Sequence, residues 1–303
     1  MYSLGVDIGG SHITAGVFNL EKKNLIRETI SHEKIDPYAS KEEILEIWTA
    51  TLRASLKKQT NPIAGIGIAM PGPFDYYEGI SLIQDVDKLQ SLFGVNLKSE
   101  LASRLHVHPS KVRFINDASA FSIAEALIGE AAAYDNVVAI TLGTGLGAGF
   151  TRNAKPIVKD PNVPPSGYLY NQYYKNELAD DLFSTRGIVK AYLDRTGEDL
   201  KDVKAICDRA NREEVARLIL VNFGKRLGNF LKPYLNDFDA QVLVLGGNIS
   251  KAFEFFMEEL KAELDFLDKI YVSKLGEESA LIGSALLLED QYYSDLEDTL
   301  KMM

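Results

Sequence analysis

Three glycine-rich turns each follow a segment that reads as a strand: Asp7-Ile8-Gly9-Gly10-Ser11, Leu142-Gly143-Thr144-Gly145-Leu146-Gly147 and Leu245-Gly246-Gly247-Asn248. Glycine has no Cβ, so backbone N–H groups at such turns can approach a phosphate or a flat ring closely. A tight hairpin or a bulge uses glycine in the same way, so any one turn alone leaves both readings open. Three of them, spread over both halves of the chain, favour the phosphate reading. The turns are not P-loops, because Gly-x-x-x-x-Gly-Lys-Ser/Thr does not occur. Nor are they dinucleotide fingerprints: those glycines must open a helix, whereas strand patterns follow Gly10 and Gly147.

Two carboxylates stand beside these turns. Asp7 ends a strand just before the Gly9-Gly10 pair. It can hold Mg2+ through water next to bound phosphates, or it can be an ordinary polar turn residue. Asn116-Asp117 ends a strand and begins a helix. Asp117 there reads as a helix N-cap and, compatibly, as a general base for a hydroxyl. The base need not be strong, because in a loose phosphoryl-transfer transition state the hydroxyl proton leaves late. His12, His32, His106 and His108 form no metal-ligand spacing, and the single Cys207 reads as a small core residue.

The elements that must position these residues are alternating strands and helices. Leu4–Ile8, Ile13–Phe18 and Leu25–Ile30 read as an antiparallel meander. A helix is expected over Lys41–Lys58, with Ile44, Leu45, Trp48, Leu52 and Leu56 on one face. A buried strand follows at Ala64–Ala69, stopped by Pro71-Gly72-Pro73. Then come a helix at Leu97–Leu105, a strand at Val112–Ile115 and a helix at Ala118–Leu127. The second half starts again with strand, glycine turn and strand over Val137–Phe150, which suggests a weak internal duplication. A Pro- and Tyr-rich stretch covers Arg152–Asn176. A long helix is expected from about Arg212 to Leu235, with Val215, Leu218, Ile219, Phe223, Leu227, Phe230 and Leu231 at helical spacing. A strand at Val242–Leu245, a helix capped by Ser250 and running to Leu264, a strand at Ile270–Val272 and a helix at Glu277–Leu288 complete the pattern. The acidic stretch Glu289–Asp298 reads as a solvated helix end.

Composition bounds the function. The chain has 303 residues, enough for two domains, with an expected boundary near residues 116–136. The net charge of −10 argues against a nucleic-acid or anionic-membrane surface. One cysteine excludes an intramolecular disulfide and a Cys-rich structural zinc site, so the cytoplasm is the expected compartment. The N-terminus has no secretory pattern and no apolar run approaches 18 residues, so neither export nor a membrane span is expected.

Together the motifs resemble the ROK family (repressors, open reading frames, kinases) of sugar kinases, within the actin/hexokinase/Hsp70 ATPase superfamily. Asp7-Ile8-Gly9-Gly10-Ser11 is similar to the family's first phosphate loop. Ala69-Met70-Pro71-Gly72-Pro73, with Asp75 and Gly79, is similar to its sugar-side loop. Asn116-Asp117-Ala118-Ser119-Ala120 with Glu125 resembles the motif whose Asp is the catalytic base. Thr141–Gly149 resembles the second phosphate loop, and Val244–Ser250 the adenosine loop.

The resemblance implies an α/β, two-domain actin-like ATPase (ribonuclease H-like) fold with a cleft between the domains. The domains would be residues 1–117 plus about 289–303, and residues 118–288, with the C-terminal helix returning to the first. The implied activity is that of a glucokinase-like, ATP- and Mg2+-dependent transferase that phosphorylates a hydroxyl of a hexose or hexose derivative, with Asp117 as base. ATP would be bound by Asp7, Gly9, Gly10, Ser11, Gly143, Thr144, Gly145, Gly246, Gly247 and Asn248. The sugar would be bound by Gly72, Asn116, Asp117, Tyr168, Asn171 and Asp180. A homodimer is expected. With the first phosphate loop starting at residue 5, the helix-turn-helix domain of the repressor branch is not expected.

One region departs from the family pattern. Most members carry Gly-Glu-x-Gly-His, a Cys-rich zinc loop and a later Glu. Here Tyr168 stands in place of the sugar-binding Glu, Asn171 in place of the His, and Asp180 in place of the later Glu. The cysteines are missing, so no structural zinc is expected. The alternative reading is a sugar- or nucleotide-binding regulatory protein of the same fold that does not catalyse.

Overall fold

The computed structural model describes residues 1–84 and 88–303, and the chain divides into two compact units. One comprises Met1–Ala124 and Glu277–Met303, the other Glu125–Gly276.

The first unit is built on strands β1 (Tyr2–Ile8), β2 (His12–Asn19) and β3 (Asn24–Lys34), which form the expected meander. Helix α1 (Lys41–Lys57) starts at a capping box: Glu43 N–H donates to Ser40 Oγ, and the Glu43 carboxylate accepts from Ser40 N–H. Its stripe of Ile44, Leu45, Trp48 and Leu52 is fully buried. Strand β4 (Ile63–Met70) then pairs parallel with β1. A short hairpin of β5 (Phe74–Asp75) and β6 (Ile80–Ser81) and helix α2 (Leu97–Leu105) lead to β7 (Val112–Asn116), parallel to β4. The sheet order is β3-β2-β1-β4-β7. Helix α3 (Asp117–Leu127) follows β7 without a loop.

The second unit repeats this plan. Strands β8 (Asn136–Leu142), β9 (Leu146–Arg152) and β10 (Lys155–Pro156) form an antiparallel meander. A small hairpin, β11 (Tyr173–Tyr174) and β12 (Glu177–Leu178), precedes helices α4 (Ala179–Leu182), α5 (Thr185–Thr196), α6 (Val203–Ala210) and α7 (Glu214–Asp237). Strand β13 (Val242–Gly246), helix α8 (Phe253–Glu263) and strand β14 (Ile270–Val272) complete it. The order β10-β9-β8-β13-β14 has the same directions, strand for strand, as the first sheet. The suspected duplication is therefore real at the level of topology.

Helix α9 (Ser279–Leu286) belongs to the first unit and lies directly on its sheet. Two glycines make that approach possible. A Cβ on Gly5 would stand 2.1 Å from the Leu281 carbonyl oxygen, and one on Gly67 would stand 1.8 Å from that of Ser284. Helix α10 (Asp290–Leu300) follows as a separate element. Its Leu296 and Leu300 are buried, so the acidic stretch is an amphipathic helix and not merely a solvated end.

Three local expectations need correction. Val215 and Leu218 are 41% and 45% exposed, and Ala216 and Leu220 occupy the buried face of α7 instead. The expected apolar stripe was wider than the face that the neighbouring helices cover. Ser250 does not cap α8: it lies in a 3-10 turn, Asn248–Ala252, and its hydroxyl donates to the Gly247 carbonyl at 2.7 Å. The last predicted helix begins at Ser279 rather than Glu277, because Gly276–Glu278 form a 3-10 turn.

Candidate active site

In the first unit β1, β4 and β7 run parallel, so Asp7, the Pro71-Gly72 loop and Asn116-Asp117 emerge at the same, carboxyl, edge of the sheet. In open α/β sheets this is the edge where ligands bind. The turn after β1 is closed by Gly9 N–H donating to the His12 carbonyl at 3.0 Å. That amide is therefore engaged within the turn, and Gly10 and Ser11 carry the amides left for an anion. The Lys88 side chain packs over Gly10, where a Cβ would come within 2.7 Å of its stem. Sequence reasoning did not single out Lys88.

Asn116 is the helix cap, not Asp117. Its Oδ1 accepts from the N–H groups of Ala118 at 3.0 Å and Ser119 at 3.2 Å, while Asp117 is the first helical residue. The Asn116 amide also donates to the Tyr76 hydroxyl at 3.2 Å, which donates in turn to the Met70 carbonyl at 3.2 Å. The fully buried Tyr76 thus ties the loop after β4 to the start of α3. It sits 3.2 Å from where a Gly72 Cβ would be, so the two loops are set by one side chain. A lone Tyr in a turn-rich stretch carries no periodic signal, and the sequence reading passed over it. Asp75 and Gly79 shape the β5–β6 turn: the Asp75 carbonyl accepts from Gly79 N–H, and its carboxylate from Glu78 N–H, both at 2.8 Å.

With capping done by Asn116, the Asp117 carboxyl accepts from Ala118 N–H at 2.8 Å, and its own amide and the Asn116 side chain also favour its ionised form. Burial, and then the negative charge of Asp7, push its pKa up to about 6. That places a base near neutrality, where general-base catalysis is efficient. If Asp117 is that base, kcat/KM is expected to fall with unit slope as pH drops through about 6. A profile flat to well below that pH would contradict the assignment. Asp7 faces His12, Nε2 to Oδ2 being 3.8 Å, and this contact holds the imidazolium above its ordinary pKa despite partial burial. His12 in turn stacks on His32 at 5.7 Å between ring centroids.

Asp7, whose charge Asp117 feels, is a hard oxygen donor of the kind Mg2+ accepts through water. Among the described residues no group of three or more His, Cys, Asp or Glu is arranged to hold a metal by protein ligands alone. Mg2+ bound largely through water and phosphates suits such a donor set.

In the second unit the turn after β8 is also closed by its first glycine, more tightly, with Gly143 N–H donating to the Gly145 carbonyl at 3.0 Å. A Cβ on Gly143 would meet nothing within 4 Å, so the space over it is open. The Gly246-Gly247-Asn248 loop leaves β13 beside this turn. Gly247 has φ +78°, and a Cβ on it would stand 2.3 Å from the Leu142 carbonyl oxygen, so only glycine lets the two loops lie together. Asn248 Oδ1 accepts from Lys251 at 2.7 Å. Asp180 reaches the same turn, its Oδ1 accepting from Leu146 N–H at 2.7 Å. Tyr168 is half-buried after a 3-10 turn, Pro165–Gly167, and its ring lies 5.4 Å from that of Tyr170. Asn171 is exposed, and its side-chain Oδ1 accepts from Gln172 Nε2 at 2.9 Å.

Two sheets of the same order and direction, each with a glycine turn after its first strand, define an actin-like ATPase fold. The ROK family model matches residues 3–160 and 176–291, and the chain belongs to that family. The unmatched residues between these segments contain Tyr168 and Asn171. A glucokinase of Thermotoga maritima is 25% identical, the alignment covering 95% of this chain and 97% of the relative. An N-acetyl-D-glucosamine kinase of Haemophilus influenzae is 26% identical, over 86% of this chain and 88% of the relative. Among solved structures, a ROK family glucokinase from Streptomyces griseus in complex with glucose and AMPPNP superposes with a TM-score of 0.74. It has 21% sequence identity and covers 95% of this chain and 99% of that one. Among the described residues no helix is long and apolar enough to cross a membrane.

Proposed function

We propose that the chain is an ATP-dependent sugar kinase, transferring the γ-phosphoryl group to a hydroxyl of a hexose or hexose derivative. The observation that carries this is Asp117, a half-buried carboxyl with a pKa near 6 at the carboxyl edge of β7. On the same edge the turn after β1 offers the amides of Gly10 and Ser11. Membership of a family whose relatives include a glucokinase and an N-acetyl-D-glucosamine kinase supports it.

In this reading the amides of Gly10, Ser11, Thr144 and Gly145 hold the phosphates, with Gly9 and Gly143 closing the turns that aim them. Gly246, Gly247 and Asn248 hold the adenosine. Mg2+, kept near Asp7 through water, would neutralise charge on the β and γ oxygens. Asp117 takes the hydroxyl proton as the new O–P bond forms. Gly72, Asn116, Tyr168 and Asn171 contact the sugar. Homodimeric assembly rests on the family resemblance, and a cytoplasmic setting on the single cysteine.

Tyr168 supplies the substrate prediction. A Glu accepts hydrogen bonds from two adjacent sugar hydroxyls, whereas a Tyr offers one hydroxyl and a flat apolar ring. Polar sites discriminate through groups left unpaired, so the preferred sugar should change rather than merely bind less tightly. A coupled ADP-release screen over hexoses, amino sugars and N-acetyl sugars is expected to find glucose poor and another sugar preferred, with the ranking altered in Tyr168→Glu. Good glucose turnover by the natural chain, or an unchanged ranking in the variant, would remove Tyr168 from the sugar site. Sugar-dependent thermal stabilisation without ADP formation from ATP in the presence of any sugar would favour the regulatory reading.

A further inference from the structure

Asp180 takes the place of a sugar ligand in the sequence, but its contacts lie with the second glycine turn. Its Oδ1 accepts from Leu146 N–H at 2.7 Å and would stand 3.0 Å from a Cβ on Gly145. Its Oδ2 accepts from Arg186 Nη2 at 2.6 Å, and the same nitrogen reaches Asp181 at 3.1 Å. Arg186 Nη1 donates to the Thr144 carbonyl at 3.4 Å. Thr185, at the start of α5, donates from its amide at 2.8 Å and its hydroxyl at 2.9 Å to the Gly143 carbonyl. The carbonyls of Gly143 and Thr144 are therefore both drawn back toward α5.

A turn with glycines at 143 and 145 is intrinsically loose. For an anion, amides must point forward and carbonyl lone pairs must point away, and that arrangement must exist before the charge arrives. The donors on α5 supply it. A carboxylate beside bound phosphates would repel them, and the Arg186 guanidinium, paired with Asp180 and Asp181, offsets part of that charge. We propose that Asp180 and Arg186 are positioning residues for the nucleotide: a brace that aims the Gly143–Leu146 turn at phosphates. Asp180 is then not a ligand of the sugar. This rests on the kinase reading above.

The test compares Asp180→Ala, Arg186→Ala and Arg186→Lys with the natural chain. KM for ATP and for the preferred sugar would be measured, together with ADP affinity by calorimetry in the absence of sugar. Arg186 is 59% exposed, so its variants keep the test open should Asp180→Ala fail to fold. Both alanine variants are expected to weaken ADP binding and raise the ATP KM about tenfold, the scale of losing a charged hydrogen bond, with the sugar KM little changed. Arg186→Lys should recover part of the loss, because an ammonium keeps the charge but cannot serve three acceptors with a fork. A raised sugar KM with unchanged ADP affinity would overturn the brace and return Asp180 to the sugar. Unchanged ADP affinity and unchanged KM values would also overturn it while leaving the kinase reading intact. Failure of the natural chain to bind ADP or ATP at all would overturn both.

Discussion

Replacing Asp117 by Asn is expected to slow phosphoryl transfer by roughly 10²–10⁴-fold, the range for losing a general base, and at the same time to stabilise the fold. The two effects share one cause. The carboxyl titrates near 6 in the folded chain against an ordinary 3.8, so the folded state binds this proton more tightly than the unfolded state does. Ionisation therefore opposes folding. The penalty is absent below about pH 4, grows between about 4 and 6, and is complete above that. Allowing for partial burial, it amounts to about 1–3 kcal/mol. Asn keeps the oxygen that accepts from Ala118 N–H and carries no charge. The cap is untouched because Asn116 makes it. The melting temperature of Asp117→Asn should thus exceed that of the natural chain at pH 8, with the gain vanishing near pH 4. Retained turnover would place the base elsewhere, and a lower melting temperature at pH 8 would contradict the burial argument.

The second large effect is on stability alone. Gly67→Ala is expected to destabilise the first unit by about 3 kcal/mol or more, at the upper end of overpacking penalties. The added methyl would lie 1.8 Å from the Ser284 carbonyl oxygen and 2.5 Å from its carbon, and both are backbone atoms that no rotamer change can move. Helix α9 would have to lift from β1 and β4, exposing Leu281, Ala285 and Leu288, which are now buried. A fall in melting temperature of roughly 6–12 °C is the corresponding signal. Gly143→Ala is the control, since its methyl would meet nothing within 4 Å. A Gly67→Ala melting temperature within a degree or two of the natural chain would mean that α9 does not seat on the sheet.

These glycines also mark how far the sequence could be read. Strands, helices and the first-half meander were legible because period-2 and period-3.6 patterns declare themselves over short windows. The buried strand around Gly65, Ile66, Gly67 and Ile68 was legible too, but not the meaning of its alternating glycines. A face of glycines on a buried strand signals close backbone approach, and the approaching helix lies over 200 residues away in the chain.

The candidate site divides along the same line. Its glycine turns and Asp117 are local patterns. The exchange of capping between Asp117 and Asn116 could not be settled from type, because both residues cap well. The Tyr76 bridge to Asn116 and the Asp180 contact with Leu146 join residues 40 and 34 positions apart. No periodicity records such pairs. Family resemblance placed Asp180 by its position in the chain, and its hydrogen bonds give it a different neighbourhood.

Transfer of a phosphoryl group from ATP to a sugar is the reaction that the fold and Asp117 together imply. Its most direct test is product analysis by mass spectrometry and phosphorus NMR after incubation with ATP, Mg2+ and the panel of hexoses, amino sugars and N-acetyl sugars. A phosphosugar is expected in equal amount with ADP for at least one member, and none above background with Asp117→Asn. Binding of both nucleotide and sugar without any phosphosugar, or equal product from Asp117→Asn, would contradict it.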